Sequence, residues 1–128
     1  MSIRNFFIGL IMLILGVRYG AAYLLSDKFQ EYANRTKEPW TCQFENYIGH
    51  FYMLMSEYET AELYFQHTMK RCPDSEISET AEFETARCFE GVGQSQQAVQ
   101  KYMEFAEKHK GTRRARLASQ AADLLRVN

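Results

Sequence analysis

Strand patterning is scarce in this sequence, and so are chain breakers. β-Branched residues are sparse and no stretch alternates apolar with polar residues at period two, so few segments read as strands. Two prolines and seven glycines leave few breaks, which suits an all-helical chain. No excess of either charge exists: 15 basic side chains face 16 acidic ones. A nucleic-acid partner therefore gains no support. The three cysteines include no C-x-x-C pair, which argues against zinc and thioredoxin-type chemistry. His50, His67 and His109 are scattered, with no carboxylate or cysteine spaced for a triad or a metal site. No Gly-rich phosphate loop is present; Gly91-Val92-Gly93 reads as a helix end. These absences point away from an enzyme and call for no metal or cofactor. At 128 residues the chain holds one small domain at most.

What is present begins with apolar length. Phe6 to Val17 carries no charged side chain, Arg18 interrupts the run, and Tyr19 to Leu25 resumes it. One reading is a cleaved signal peptide with Gly20-Ala21-Ala22 as the cleavage site. The other is a retained anchor over residues 1–25, with 6–25 close to the ~20 residues that cross a bilayer. The extended run favours the anchor. Arg18 then sits near one end, where its stem reaches the interface, and Tyr19 and Tyr23 fit an aromatic belt. The positive-inside rule has only Arg4 and the α-amino group ahead of the run, against Lys28, Arg35 and Lys37 after it, mixed with acids. A very short N-terminal tail places the bulk of the chain outside the cytoplasm. Residues 26–38 continue in helical style, with Phe29, Tyr32 and Ala33 on one side, as a stalk extending the anchor or packing on the first helix pair beyond it.

The stretch from Glu45 to Pro73 organises the rest. Phe44, Tyr47, Ile48, Phe51, Tyr52 and Met55 recur in steps of three and four, predicting one buried helix face. Tyr58, Ala61, Tyr64, Phe65, Thr68 and Met69 form a second set. Ser56-Glu57-Tyr58-Glu59 reads as a capping box between them, and Pro73 ends the second helix. So short a connection predicts an antiparallel pair, with Gly49 and Ala61 allowing close approach.

The positions Glu45, Ile48, Gly49, Tyr52, Ala61, Phe65 and Pro73 resemble the tetratricopeptide repeat signature, with Glu45 where the family prefers Trp. A weaker copy lies 37 residues later, with Ala86, Phe89, Ala98, Tyr102 and Lys110. Cys72-Pro73-Asp74-Ser75 and the alanine-spaced helix after it also resemble repeats of bacterial envelope assembly proteins. The resemblance implies a short α-solenoid over residues 39–128: two helical hairpins and a C-terminal capping helix. It further implies a partner groove lined by Gln43, Asn46, His50 and Met53 and by Phe83, Arg87 and Glu90. The family's carboxylate clamp is not reproduced. The alternative for this face is an ordinary solvated surface. Repeat arrays need about three units to bury a continuous core, so the outer faces await the stalk, a second copy or another subunit.

Pro39 suits a first helical turn, and Trp40, the only tryptophan, is a partner anchor or closes a core end. Asp74 and Ser75 are N-cap candidates for a helix carrying Ile77, Ala81, Cys88, Phe89 and Val92 inward. Gln94 to His109 is the next helix, and Thr112 caps the last. Cys42 and Cys72 fall at neighbouring ends of the antiparallel pair and can form a disulfide in an oxidising compartment; otherwise all three cysteines are small buried hydrophobes. A basic patch of Lys108, Lys110, Arg113, Arg114 and Arg116 comes after the acidic stretch Asp74 to Glu90. Self-association, anionic lipid and a solvated surface are its three readings.

The whole predicts a single-pass inner-membrane protein with its C-terminal domain in the periplasm. Its role is scaffolding or localising other protein subunits of an envelope complex. Alternatives are a small structural subunit of a membrane complex and a secreted binding module.

Overall fold

The computed structural model describes residues 2–36 and 38–127. Met1, Lys37 and Asn128 lie outside it: the first residue of the predicted segment 1–25, one residue of 26–38 that carries an orientation charge, and the last residue of 39–128. Among the described residues there are seven helices and no strand. The chain divides into two compact units between Glu38 and Pro39.

The first unit holds α1 (Ile3–Leu24) and α2 (Asp27–Thr36). Ser2 caps α1 by accepting from the Asn5 amide. At ~1.5 Å per residue, 22 residues reach ~33 Å, enough for a ~30 Å hydrocarbon core. α1 is the one described helix long and apolar enough to cross a membrane, and a signal sequence meets the same description. Its side chains are mostly exposed; only Ala21 and Leu24 are buried. The predicted stalk is not a continuation of α1. The chain turns at Leu25 and Ser26, where the Ser26 hydroxyl donates to Tyr23 O and accepts from the Phe29 amide, opening a new helix. Gln30 then donates back to Leu24 O at 2.6 Å, and the Tyr23 and Phe29 rings meet edge to face.

The second unit contains α3 (Pro39–Leu54), α4 (Tyr58–Arg71), α5 (Glu76–Gly91), α6 (Ser95–Lys108) and α7 (Arg113–Val127). Each of these helices packs chiefly on its neighbours in the sequence. α3 and α4 run antiparallel: Cys42 meets Cys72, Glu45 meets Arg71, Gly49 meets Phe65 and Tyr52 stacks on Tyr64. Gly49 lets the helices approach closely: a Cβ there would lie 2.6 Å from the fully buried Phe65 ring. In α5 and α6, Ala86, Ala98, Tyr102 and Phe105 form one core with Ala118 and Ala122 of α7.

The turns repeat with a 37-residue period. Ser56 (φ 59°) and Gly93 (φ 80°) occupy corresponding left-handed positions, as do Asp74 (φ 59°) and Gly111 (φ 87°). At the first pair, Ser56 N bonds Met53 O and Glu57 N bonds Tyr52 O; Gly93 N bonds Glu90 O and Gln94 N bonds Phe89 O in the same pattern. This is the Schellman arrangement that satisfies the last carbonyls of a helix. At the second pair, Ser75 and Thr112 accept from the amides of Ser78 and Ala115, capping α5 and α7.

The structure corrects several sequence expectations. Ser56 closes α3 in the left-handed region and makes no capping box; α4 starts after Glu57 without a side-chain cap bond. Of the two N-cap candidates, Ser75 caps α5 while Asp74 takes the turn. Phe44, Tyr47 and Met55 face solvent, and the buried face of α3 is Thr41, Cys42, Glu45, Ile48, Gly49 and Tyr52. α3 is apolar on two adjacent sides, so periodicity alone does not choose between them. The disulfide and the Glu45–Arg71 pair select the smaller, more polar side. Val92 is also exposed, and Gly91 is more than a helix end: a Cβ there would lie 2.6 Å from the Tyr58 ring.

Candidate protein-binding face

The 37-residue register aligns α3, α5 and α7. Gln43, Asn46, His50 and Met53 of α3 correspond to Thr80, Phe83, Arg87 and Glu90 of α5, and these to Leu117, Gln120, Leu124 and Val127 of α7. On α3 this row lies beside the buried face. Gln43 is exposed, while Asn46, His50 and Met53 are half-buried. Asn46 Oδ1 is closed off from solvent without a hydrogen-bond partner. The His50 ring sits edge-on to Phe65, with centroids 5.3 Å apart.

On α5 the row is more tightly engaged than its sequence suggests. Phe83 is not an exposed gripping residue. Its ring packs on Tyr102 and Phe105 at 5.8 and 5.4 Å, so it belongs to the core edge. Arg87 is exposed and held by both oxygens of Glu84, at 3.2 and 2.9 Å. Glu90 accepts a 2.6 Å hydrogen bond from the Tyr102 hydroxyl. Burial, and then that hydrogen bond, push the Tyr102 pKa far above its ordinary range. The residues the sequence reading missed are on α7. Leu117, Leu124 and Val127 are 43%, 68% and 86% exposed. The signal that finds them is the 37-residue step itself, which carries the row one helix further.

The basic patch is largely neutralised within the chain. Lys108 pairs with Glu82 at 3.0 Å, Lys110 with Glu107 at 2.6 Å and Arg114 with Glu79 at 3.7 Å. Arg113 and Arg116 are exposed. The opposite charges of Asp74–Glu90 and Lys108–Arg116 thus meet each other inside one chain, across α5, α6 and α7. His109 joins them, 3.0 Å from Glu82 and 3.9 Å from Glu79.

Between α3 and α4, Cys42 and Cys72 form a disulfide, with Cα atoms 6.3 Å apart. Cys88 is free and buried, and its desolvation pushes the thiol pKa up to about 12, with Glu62 and Glu84 adding to it. Such a thiol is protonated and unreactive at neutral pH. Among the described residues no group of three or more His, Cys, Asp or Glu is arranged to hold a metal ion. The row carries cationic, amide, imidazole and apolar side chains. Comparison with protein-family models, with curated proteins and with solved structures finds no match for this chain.

Proposed function

We propose that this protein is a membrane-anchored scaffold of the tetratricopeptide type, acting by binding rather than catalysis. In this reading α1 is retained as a single inner-membrane span, and α3–α7 form a short α-solenoid in the periplasm that holds another subunit of an envelope complex. The observation that carries it is the recurrence of both turns at 37 residues, with the same left-handed positions and the same end-of-helix hydrogen bonds. Helix pairs repeated in this way leave their first helices to present a continuous row of side chains. The Cys42–Cys72 disulfide favours an oxidising compartment over the cytoplasm. The partner face runs from Gln43 and His50 through Arg87 to Leu117, Leu124 and Val127.

A second reading draws on α1. A Cβ added at Gly9, Gly16 or Gly20 would meet nothing within 4 Å, so this helix keeps surfaces where other transmembrane helices can approach. The chain would then be a small structural subunit joined to its complex through α1.

Purification of the tagged full chain in detergent separates the two. Arg87→Glu with Leu124→Glu removes the partner if the face holds it and leaves the partner in place if α1 does. Replacing residues 6–25 by an unrelated span has the opposite effect. Intact mass of the native protein decides whether α1 is kept.

A further inference from the structure

α3 has a third side that neither its core nor the binding face uses. Trp40, Phe44, Tyr47, Phe51 and Leu54 succeed one another in steps of four, three, four and three, and Met55 lies beside Leu54. At ~100° per residue these six side chains share an arc of about 100°. Trp40, Phe44, Tyr47, Leu54 and Met55 are 46%, 47%, 68%, 85% and 42% exposed. α3 itself brings no charged side chain to this surface, because Glu45 is its one charged residue and is buried. A contiguous apolar surface of this kind marks an interaction site.

The 37-residue register indicates what the site meets. The corresponding α5 positions are Ile77, Ala81, Glu84, Cys88 and Gly91, on a helix that packs closely against α4. Where a helix covers this face, three of these five positions are small: Ala81 and Cys88 are buried, and Gly91 admits the Tyr58 ring. On α3 the same positions carry Phe44, Phe51 and Leu54, which hold a neighbouring backbone away. Bulky apolar residues with a Trp and a Tyr among them suit a deformable covering instead. They are the types found at the boundary between headgroups and acyl chains. The sequence supplies the proximity. Leu24 ends α1 and Trp40 lies sixteen positions later; with α2 helical, that link spans no more than roughly 35 Å.

We propose that the outer face of α3 inserts into the headgroup–acyl boundary of the phospholipid bilayer. The inference rests on the reading of α1 as a retained span. α3 is then the helix of the second unit that meets the lipid.

Trp40 is the only tryptophan and reports on this face directly. The test uses the full chain reconstituted in phosphatidylcholine vesicles, with bromine on the acyl chains as one quencher and aqueous acrylamide as the other. Insertion predicts blue-shifted Trp40 emission, about twofold quenching by the brominated lipid and several-fold weaker quenching by acrylamide than for a tryptophan in water. Tyr47→Glu with Phe51→Glu should reverse all three while helix content by circular dichroism stays the same. Quenching by brominated lipid that survives this double substitution would overturn the proposal, since nearness alone would explain it. Protection from both quenchers would also overturn it, and would identify a protein neighbour or second copy as the covering. Alkaline carbonate extraction scores the anchor separately. Resistance to carbonate without lipid quenching overturns this inference alone; release without quenching overturns the anchor reading and the inference together.

Discussion

Glu45 and Arg71 form an ion pair between α3 and α4, where Glu45 has no exposed surface and the Arg71 side chain is 7% exposed. His67 lies 3.6 Å from the other Glu45 oxygen. One repeat later the corresponding residues, Glu82 and Lys108, also pair, but at side-chain exposures of 25% and 60%. The same contact is thus buried between α3 and α4 and solvated between α5 and α6. Removing one partner of a buried pair leaves an uncompensated charge and costs about 3–5 kcal/mol, whereas a solvated pair is worth about 0–1 kcal/mol. Arg71→Met is therefore expected to destabilise the fold by about 3–5 kcal/mol in urea unfolding. Glu45→Leu combined with Arg71→Met should recover most of the loss, and Lys108→Ala should change stability by about 1 kcal/mol or less. Equal effects of Arg71→Met and Lys108→Ala would contradict this assignment.

The disulfide has its own counterpart. Cys42 and Cys72 correspond to Glu79 and His109, so a covalent link in the first repeat stands where the second has a weak 3.9 Å ionic contact. Closing a loop of 30 residues constrains the unfolded chain by roughly 3–4 kcal/mol. Reduction should lower stability by about that amount. Thiol titration should find no reactive cysteine in the native oxidised protein, one after unfolding and three after unfolding with reductant. Three thiols without reductant would rule out the disulfide.

The two glycines that meet aromatic rings should differ in tolerance. Gly49 faces Phe65, which is fully buried and has nowhere to move. Gly91 faces Tyr58, which is half-buried at the surface. Overpacking typically costs 1–3 kcal/mol, against a helix gain of about 1 kcal/mol for Gly→Ala. Gly49→Ala is expected to lose about 1–2 kcal/mol net, and Gly91→Ala to lie near zero as Tyr58 swings aside. Thermal unfolding of the two variants checks the order.

Alkaline pH should unfold the protein through its buried acids. Burial raises the pKa of Tyr64, Tyr102 and Cys88 above their ordinary values, to about 12 for Cys88. A raised folded-state pKa means that the unfolded chain loses its proton first. The stabilisation is complete below pH ~9 and falls as pH climbs from the unfolded values toward the folded ones, by about 1.4 kcal/mol per pH unit for each group. Tyr102→Phe removes one such group, so its urea midpoint should fall less steeply above pH ~10 than that of the parent. Parallel curves would show that Tyr102 ionises as freely in the fold as outside it.

Much of the helical layout is legible in the sequence because its signals are local. Pro39, Pro73, Gly93, Gly111, Ser75 and Thr112 mark turns and caps by their own backbone chemistry, and the steps of three and four mark the helices. The charge-free run from Phe6 onward likewise announces α1 by composition alone. What stays hidden depends on partners distant in sequence. Glu45 looks like a solvated acid until Arg71 is placed beside it. Phe83 looks like a binding residue until Tyr102 and Phe105 close over it. The basic cluster looks free until Glu79 and Glu82 arrive from α5. On α3 the periodicity finds helix but not its inward side, since Phe44 and Tyr47 are as apolar as Ile48 and Tyr52. Leu117, Leu124 and Val127 escape a reading that carries the 37-residue step through two repeats and stops before α7.

The proposed role depends on α3, α5 and α7 presenting one face to one partner. Site-specific photocrosslinking in the native membrane tests this most directly. A photoreactive phenylalanine analogue is placed in turn at His50, Arg87 and Leu124, and at the exposed positions Gln66 of α4 and Gln100 of α6 as controls. The account predicts that the first three sites capture the same protein and the two controls do not. Capture of that protein from Gln66 and Gln100, with none from the three face positions, would contradict it.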